Sequence, residues 1–281
     1  MIDFAYYNGE ILPYGELKIP LSDRSIFFGD GVYDVMIGEG RRVYQFSRHI
    51  DRLFYSARHI GIERLPERAE LCRAVAILTE LAGRGRFLLY VQLSRFCDGR
   101  SHLYPADAQT NLLITIREHN PPPSGAPIKL ITRPDLRYKL CHLKTLNLLP
   151  SVLAANEAAR LGADEAVLVR DGTVTECSHS SILILTDGVI LTHPLTEAIL
   201  PGITRANLLA ACSALGIPAR ELAFTVSQLR CADEIFVTST TTLARRACMI
   251  DGKSCGMRDE KTAARLIEYL KNDYIASIRQ Y

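Results

Sequence analysis

Several residues of the 281-residue chain have types and spacings that could do chemistry together. Lys144 is one of only 7 lysines beside 26 arginines, and it stands among Leu143, Leu146, Leu148 and Leu149. An ammonium among leucines is costly unless its charge is paired or its proton is gone. A desolvated lysine with a lowered pKa is a nucleophile toward carbonyl compounds near neutral pH. The same long stem can also carry the charge out to water, so Lys144 alone decides nothing. Three further stretches of the second half bear on it. In "LPGITR", Gly202, Ile203 and Thr204 open a predicted helix, where free N–H groups and the helix dipole attract a phosphate. In "FVTSTTT", Ser239, Thr240 and Thr241 place hydroxyls at a strand end, suited to phosphate oxygens. In "TVTECSHSS", Glu176 offers a carboxylate to a ring nitrogen. Taken singly, these read as a helix cap, a threonine-rich turn and a surface glutamate. Together in one half of the chain, they are what a phosphorylated aldehyde on a lysine would need.

The elements that must position these residues are legible from periodicity and turn residues. "FAYYNGEIL" carries Asn8-Gly9 between short β-rich runs and reads as a hairpin. "GVYDVMIGEGRRVYQF" is a second hairpin, turning at Gly38-Glu39-Gly40. Ser47 fits an N-cap, followed by Ile50, Leu53, Phe54, Ala57 and Ile60 at helical spacing. "RAELCRAVAILTELAG" reads as a helix closed by Gly83. "RFLLYVQLSRF" and "TNLLITIRE" read as strands. In the second half, "IKLIT" reads as a strand and Leu146 to Leu161 as a helix. "EAVLVRDGTVTE" and "SILILTDGVILT" are Asp-Gly hairpins. "GITRANLLAACSALG" is a helix, "EIFVTSTTT" a strand, and the tail from Lys261 an amphipathic helix. The fold class is α/β in the α+β sense. "NPPPSGAP" is the best linker, because three prolines in a row extend neither a helix nor a central strand. The expected division is a small α/β domain over 1–119, a linker over 120–127 and a larger domain over 128–281.

Composition narrows the classes. A net charge of +2 and the lack of a basic stripe with interleaved aromatics argue against nucleic acid. No apolar run is long enough for a membrane span. The N-terminus lacks a basic stretch followed by an apolar run, so no secretory signal is expected. The eight cysteines form no C-x-x-C and no zinc spacing with histidine. Reduced thiols in a cytoplasmic protein without a metal are expected.

"GDGVYDV", "HIDRL", "LKTLNLL", "TVTECSHSS", "LPGITR" and "FVTSTTT" resemble the motifs of fold-type IV pyridoxal-phosphate aminotransferases, in that family's order and spacing and over nearly the whole chain. The resemblance implies a two-domain fold with pyridoxal 5'-phosphate between a small α/β domain and a larger, β-rich one. Lys144 would form the Schiff base and shuttle the substrate α-proton, and Glu176 would pair with the pyridine nitrogen. Arg52 of "HIDRL", Ile203, Thr204, Ser239 and Thr240 would hold the phosphate, and Leu200 would pack under the ring. One departure is visible. The family often has Gly-Ser-Ser-Ser-Asn after the glutamate, whereas this chain has Cys177-Ser178-His179-Ser180-Ser181. A Cys177–His179 nucleophile and base carries little weight, and the substitutions bear on contacts near the cofactor rather than on the chemistry.

The substrate question turns on a carboxylate site. In "RFCDGRSHLYP", Arg100 and His102 are two apart, so an extended segment aims both the same way. A guanidinium binds both oxygens of a carboxylate, and Arg95 nearby is an alternative cation. Tyr33 can add a hydroxyl. Tyr33 with Arg100-x-His102 is similar to the carboxylate trap of D-amino-acid aminotransferases, in which the Arg and His come from the neighbouring subunit. The resemblance therefore implies a homodimer that moves an amino group from a D-amino acid to a 2-oxo acid. Transamination of L-branched-chain amino acids and aminodeoxychorismate lyase activity are the alternatives within the same fold. A cofactor-binding module without turnover is the alternative outside it.

Overall fold

A computed structural model describes residues 3–83, 85–97, 99–120 and 126–279. The chain packs as two units. The first comprises the described residues up to Asn120, with Leu143–Asn147 and the residues from Ala276 onward. The second comprises the described residues 126–142 together with Leu148–Ile275. Of the linker expected over 120–127, residues 121–125 lie outside the described residues.

In the first unit, β1 (Phe4–Tyr7) and β2 (Glu10–Pro13) form the expected hairpin. Asn8 and Gly9 both have positive φ, 47° and 101°, the left-handed twist that a two-residue hairpin loop requires. After a one-turn helix α1 (Ser25–Phe28) come β3 (Gly31–Glu39), β4 (Arg42–Val43), α2 (Phe46–His59), α3 (Arg68–Ala82), β5 (Arg86–Phe96) and β6 (Gln109–Glu118). The six strands make one antiparallel sheet in the order β2-β1-β6-β5-β3-β4. Helices α2 and α3 lie on it. Ile50, Leu53, Phe54 and Ala57 of α2 and Leu71, Ala74, Val75 and Leu78 of α3 are buried against Met36, Leu89 and Ile114 of the sheet. Ser47 is not the cap of α2. Gln45, in the left-handed region at φ 53°, starts the helix, and the Ser47 hydroxyl instead accepts from Arg68 Nη1 at 3.3 Å.

The second unit holds β7 (Ile128–Pro134), α4 (Leu149–Arg160), β8 (Glu165–Arg170), β9 (Thr173–Cys177), β10 (Ser181–Thr186), β11 (Val189–Thr192), α5 (Ile203–Leu215), β12 (Ala219–Glu221), α6 (Val226–Cys231), β13 (Glu234–Ser239), β14 (Leu243–Ile250), β15 (Lys253–Ser254) and most of α7 (Glu260–Arg279). Nine strands form a mixed sheet, ordered β12-β11-β10-β13-β14-β7-β8-β9 with β15 on β14. The pairs β14–β7, β7–β8 and β11–β12 are parallel. Three Asp-Gly loops close hairpins with positive φ at both residues: Asp171-Gly172, Asp187-Gly188 and Asp251-Gly252. Helix α5 packs on β10 and β13 through Leu208, Ala211 and Cys212.

The helix expected from Leu146 begins only at Leu149. The preceding residues, Leu143–Asn147, follow β7 in sequence, yet they group with the first unit because their backbone is engaged by β3. No helix among the described residues is long and apolar enough to cross a membrane.

Candidate active site

Lys144 is placed by backbone pairing. The amide of Tyr33 on β3 donates to the Lys144 carbonyl at 2.9 Å, Val32 bridges to Thr145, and the Leu146 amide donates to Gly31 O at 3.0 Å. The Lys144 amide donates to the buried Ser56 hydroxyl of α2 at 3.1 Å. Two glycines of "GDGVYDV" permit this approach. A Cβ on Gly31 would lie 2.7 Å from Leu93 O and 2.8 Å from Leu146 Cδ1. Gly29, at φ 59°, has no room for a Cβ beside the Asn147 side chain, whose Nδ2 donates to Gly29 O at 3.1 Å.

The setting of Lys144 differs from the expectation of a lysine enclosed by leucines. Leu143 is buried, Leu148 and Leu149 are exposed, and Lys144 is half-buried. Its Nζ instead stands 4.4 Å from the centre of the Tyr33 ring, an aromatic face that suits a cation. Tyr33 stacks on Tyr90 with ring centres 5.5 Å apart, and burial pushes the Tyr90 phenol up. The Tyr90 hydroxyl donates to Gln92 at 2.7 Å.

Arg52 lies on α2 with its fork on Asp34 of β3, through Nε at 2.9 Å and Nη2 at 2.8 Å. His49, one helical turn earlier, contacts the same carboxylate through Nδ1 at 2.8 Å. Burial alone would raise the Asp34 carboxyl. The Arg52 charge and the bonds from His49 and Arg52 outweigh it and hold the group well below the usual carboxylate range. Burial pushes His49 down against the pull of Asp34, which favours a neutral ring with its proton on Nδ1. Neither Asp34 nor His49 was singled out from the sequence. Their signal was available in the spacing of "HIDRL", which puts His49 and Arg52 on one helix face.

In the second unit, β9 carries Glu176, with 8 % of its side chain exposed. Arg137 Nη1 is hydrogen-bonded to Glu176 Oε1, and the Leu200 amide lies 3.2 Å from both carboxylate oxygens. Arg137 is itself gripped by Asp135, whose two oxygens accept from Nε and Nη2 at 2.9 Å each. Arg170 and Thr175 also reach Asp135 at 3.0 Å. Burial raises the Asp135 carboxyl, but these donors dominate and lower it. Arg137 escapes a sequence reading because its partners are 2, 39 and 61 residues away in the chain.

After Leu200, the chain passes through Pro201 and Gly202 into α5, whose start has no side-chain cap. A Cβ on Gly202 would lie 2.5 Å from Ser181 Oγ, so a larger residue there would have to displace the serine hydroxyl. Ile203 and Thr204 are buried, and Thr204 Oγ1 is buried without a hydrogen-bond partner among the described residues. Ser239, Thr240 and Thr241 lie where β13 turns into β14. The Ser239 hydroxyl meets those of Thr241 at 3.2 Å and Thr242 at 2.9 Å, and Thr240 is half-buried beside them.

Arg100 and His102 come together on one aromatic ring. The Arg100 guanidinium is 5.5 Å from the centre of Phe28, and the His102 ring stands edge-on to it at 5.3 Å. Both are exposed, and no hydrogen bond or ring contact joins either to Tyr33 among the described residues of the chain. Arg95 is not available as the alternative cation. It is buried, bound to Asp30 and to the carbonyls of Ile60 and Gly61, and covered by Tyr104 at 3.6 Å. Nor do Cys177 and His179 form a reactive pair. Burial and the nearby carboxylates of Glu165 and Glu176 push the Cys177 thiol well up, while His179 Nδ1 faces Glu165 at 3.0 Å.

The pattern described as amino-transferase class IV matches residues 31–250. A D-alanine aminotransferase from Bacillus licheniformis is 36 % identical over 253 residues, covering 89 % of each chain. The chain belongs to the class IV aminotransferases. Among solved structures, the class IV aminotransferase resembles the branched-chain amino acid aminotransferase of Escherichia coli, at 22 % identity and a TM-score of 0.86 over 95 % of this chain and 93 % of that one. It also resembles the branched-chain aminotransferase of Thermoproteus uzoniensis with norvaline, at 25 % identity and a TM-score of 0.85 over 96 % and 94 %. The chain is thus a pyridoxal-phosphate-dependent aminotransferase with the two-domain fold-type IV architecture. The second unit fits the phosphate of that cofactor. The N–H groups that open α5 without a side-chain cap, the unpartnered Thr204 hydroxyl and the bare backbone of Gly202 supply the donors such a phosphate needs.

Proposed function

We propose that this class IV aminotransferase transfers the amino group of D-amino acids to 2-oxo acids, as in D-alanine + 2-oxoglutarate = pyruvate + D-glutamate. The carrying observation is the pairing of Lys144 with Tyr33: one residue able to move a proton beside one able to hold a carboxylate. The 36 % identity to a protein named D-alanine aminotransferase supports the same reading.

Pyridoxal phosphate, when bound, supplies an aldehyde for amine exchange and an electron-withdrawing ring that stabilises negative charge at the substrate Cα. Thr204, Ile203, Ser239, Thr240 and Arg52 would hold its phosphate. Glu176, held by Arg137 and the Leu200 amide, would pair with its ring nitrogen, and Leu200 would pack under the ring. Lys144 Nζ would take the proton from the substrate Cα and pass it, on the same side, to the carbon that the cofactor supplies as its aldehyde, so that hydrolysis would release a 2-oxo acid. Tyr33, with Arg100 and His102 of a neighbouring subunit, anchors the α-carboxylate. With the carboxylate fixed, only the D enantiomer points its Cα–H at Nζ. The exposure of Arg100 and His102 in the single chain supports their reaching out to a partner in a homodimer. The eight thiols, none in a disulfide, support action in the cytoplasm.

The test is a half-reaction followed by cofactor absorbance, with D-alanine and L-leucine offered separately. D-alanine should convert the cofactor and L-leucine should not. L-leucine turnover with inert D-alanine would establish the branched-chain reading instead. The dimeric arrangement has its own test. Chains carrying Lys144→Ala, mixed and refolded with chains carrying Arg100→Ala, should recover activity that neither variant has alone. Mixed dimers no more active than the Arg100→Ala homodimer would place Arg100 in the site of its own chain.

A further inference from the structure

One buried cluster of the first unit has no part in the site as described so far. Arg24, just before α1, is 4 % exposed. Its Nε donates to Asp30 Oδ2 at 2.7 Å. Its Nη1 and Nη2 donate to the main-chain carbonyls of Ser101 at 2.6 Å and His102 at 3.3 Å. The same guanidinium lies 4.4 Å from the centre of the Phe28 ring. Asp30 is shared with Arg95 at 3.0 Å, and Arg95 in turn carries the Tyr104 ring.

Residues 99–104 form no helix or strand, so the carbonyls of Ser101 and His102 lack the partners a sheet or helix would give them. Arg24 supplies those partners from beneath. From above, Arg100 and His102 rest on Phe28, the ring on which Arg24 also lies. A lysine could not replace the fork, since one ammonium does not span a carboxylate and two carbonyls in fixed directions.

We infer that Arg24, with Phe28, is a positioning residue for substrate. It seats the 99–104 loop so that the Arg100 and His102 side chains face the α-carboxylate together. This rests on the proposed role of Arg100 and His102. Arg24 touches neither substrate nor cofactor and acts only through the loop.

The experiment compares Arg24→Lys, Phe28→Leu, Arg100→Ala and the double variant Arg24→Lys/Arg100→Ala in the holoenzyme, with D-alanine and 2-oxoglutarate. Arg24→Lys should raise both KM values at least about tenfold while kcat changes by less than about twofold, because a forked charge-assisted contact is lost far from the reacting atoms. Cofactor absorbance should stay at the wild-type level. Phe28→Leu, at a half-buried site, should show the same split with a smaller KM rise. In the Arg100→Ala background, Arg24→Lys should add little, since the loop no longer carries its main charge. An additive double variant, or a fall in kcat at constant KM, would overturn the inference. If Arg24→Lys does not fold, Phe28→Leu decides, and a wild-type KM there overturns it equally. If Arg100→Ala itself leaves KM unchanged, the carboxylate reading fails. If Arg100→Ala raises KM while Arg24→Lys and Phe28→Leu do not, only the positioning role fails.

Discussion

Tyr33 and Lys144 are joined twice, by an amide-to-carbonyl hydrogen bond of 2.9 Å and by an amine 4.4 Å from a ring centre. The first link fixes the second. Because β3 holds the backbone of the lysine, the amine and the ring beside it are placed by the same strand. This arrangement makes the lysine the most exacting test of the chemistry.

Lys144→Ala should reduce the D-alanine half-reaction by at least about 10²–10⁴-fold, the usual worth of a positioned general base. Single-turnover absorbance measures it. Borohydride reduction of the wild type, followed by peptide mapping, should label Lys144, and a label on another lysine would remove it from this role.

Arg137→Gln should impair Glu176 without touching substrate. It takes the cation from between two buried carboxylates, Asp135 and Glu176, and removing one partner of a buried ion pair costs about 3–5 kcal/mol. We expect a lower unfolding midpoint and faster loss of cofactor on dialysis. A variant with wild-type stability and cofactor retention would show that Arg137 does not hold Glu176 in place.

Gly31→Ala should strain the seat of Lys144. The added Cβ meets Leu93 O at 2.7 Å, a backbone atom that cannot turn aside. Overpacking of this kind costs about 1–3 kcal/mol, which corresponds to a fall of several degrees in Tm. Calorimetry reads the shift, and an unchanged Tm would mean that β3 and β5 separate freely.

The Asp34–Arg52 pair predicts an acid sensitivity. The folded Asp34 carboxyl lies below its unfolded value, which is about 4. Its contribution to stability is therefore present above about pH 4 and is lost as the pH falls from there toward the folded value. Urea titrations at pH 7 and pH 3 should show a steeper loss for the wild type than for Asp34→Asn, with the variant already weaker at pH 7. Parallel losses in the two proteins would remove Asp34 from the acid response.

Much of the architecture was readable in one dimension because its causes are local. Asn8-Gly9, Asp171-Gly172 and Asp187-Gly188 announce hairpins, since few other residues take positive φ cheaply. The 3.6-residue spacing of Ile50, Leu53, Phe54 and Ala57 names the buried face of α2 in the same way. Local rules misled where a distant partner intervened. Ser47 has the chemistry of a cap, but the left-handed Gln45 turns the chain two residues earlier. Leu146 has helical spacing, but its amide is taken by Gly31, 115 residues before it in the chain, counted from the residue numbers.

The sequence by itself determined most of the hairpins and the longer helices, and it singled out Lys144, Glu176, Gly202 and Thr204, because glycine turns, apolar periods and rare residue types act within a few positions of the chain. Only the tertiary structure decided that a tyrosine ring rather than leucines faces Lys144, that Arg137 binds Glu176, that Arg95 is bound to Asp30 and main-chain carbonyls, and that Arg24 grips the Arg100 loop. Those choices depend on which charges and carbonyls meet after folding, and pairing between residues dozens of positions apart leaves no periodic trace in the chain.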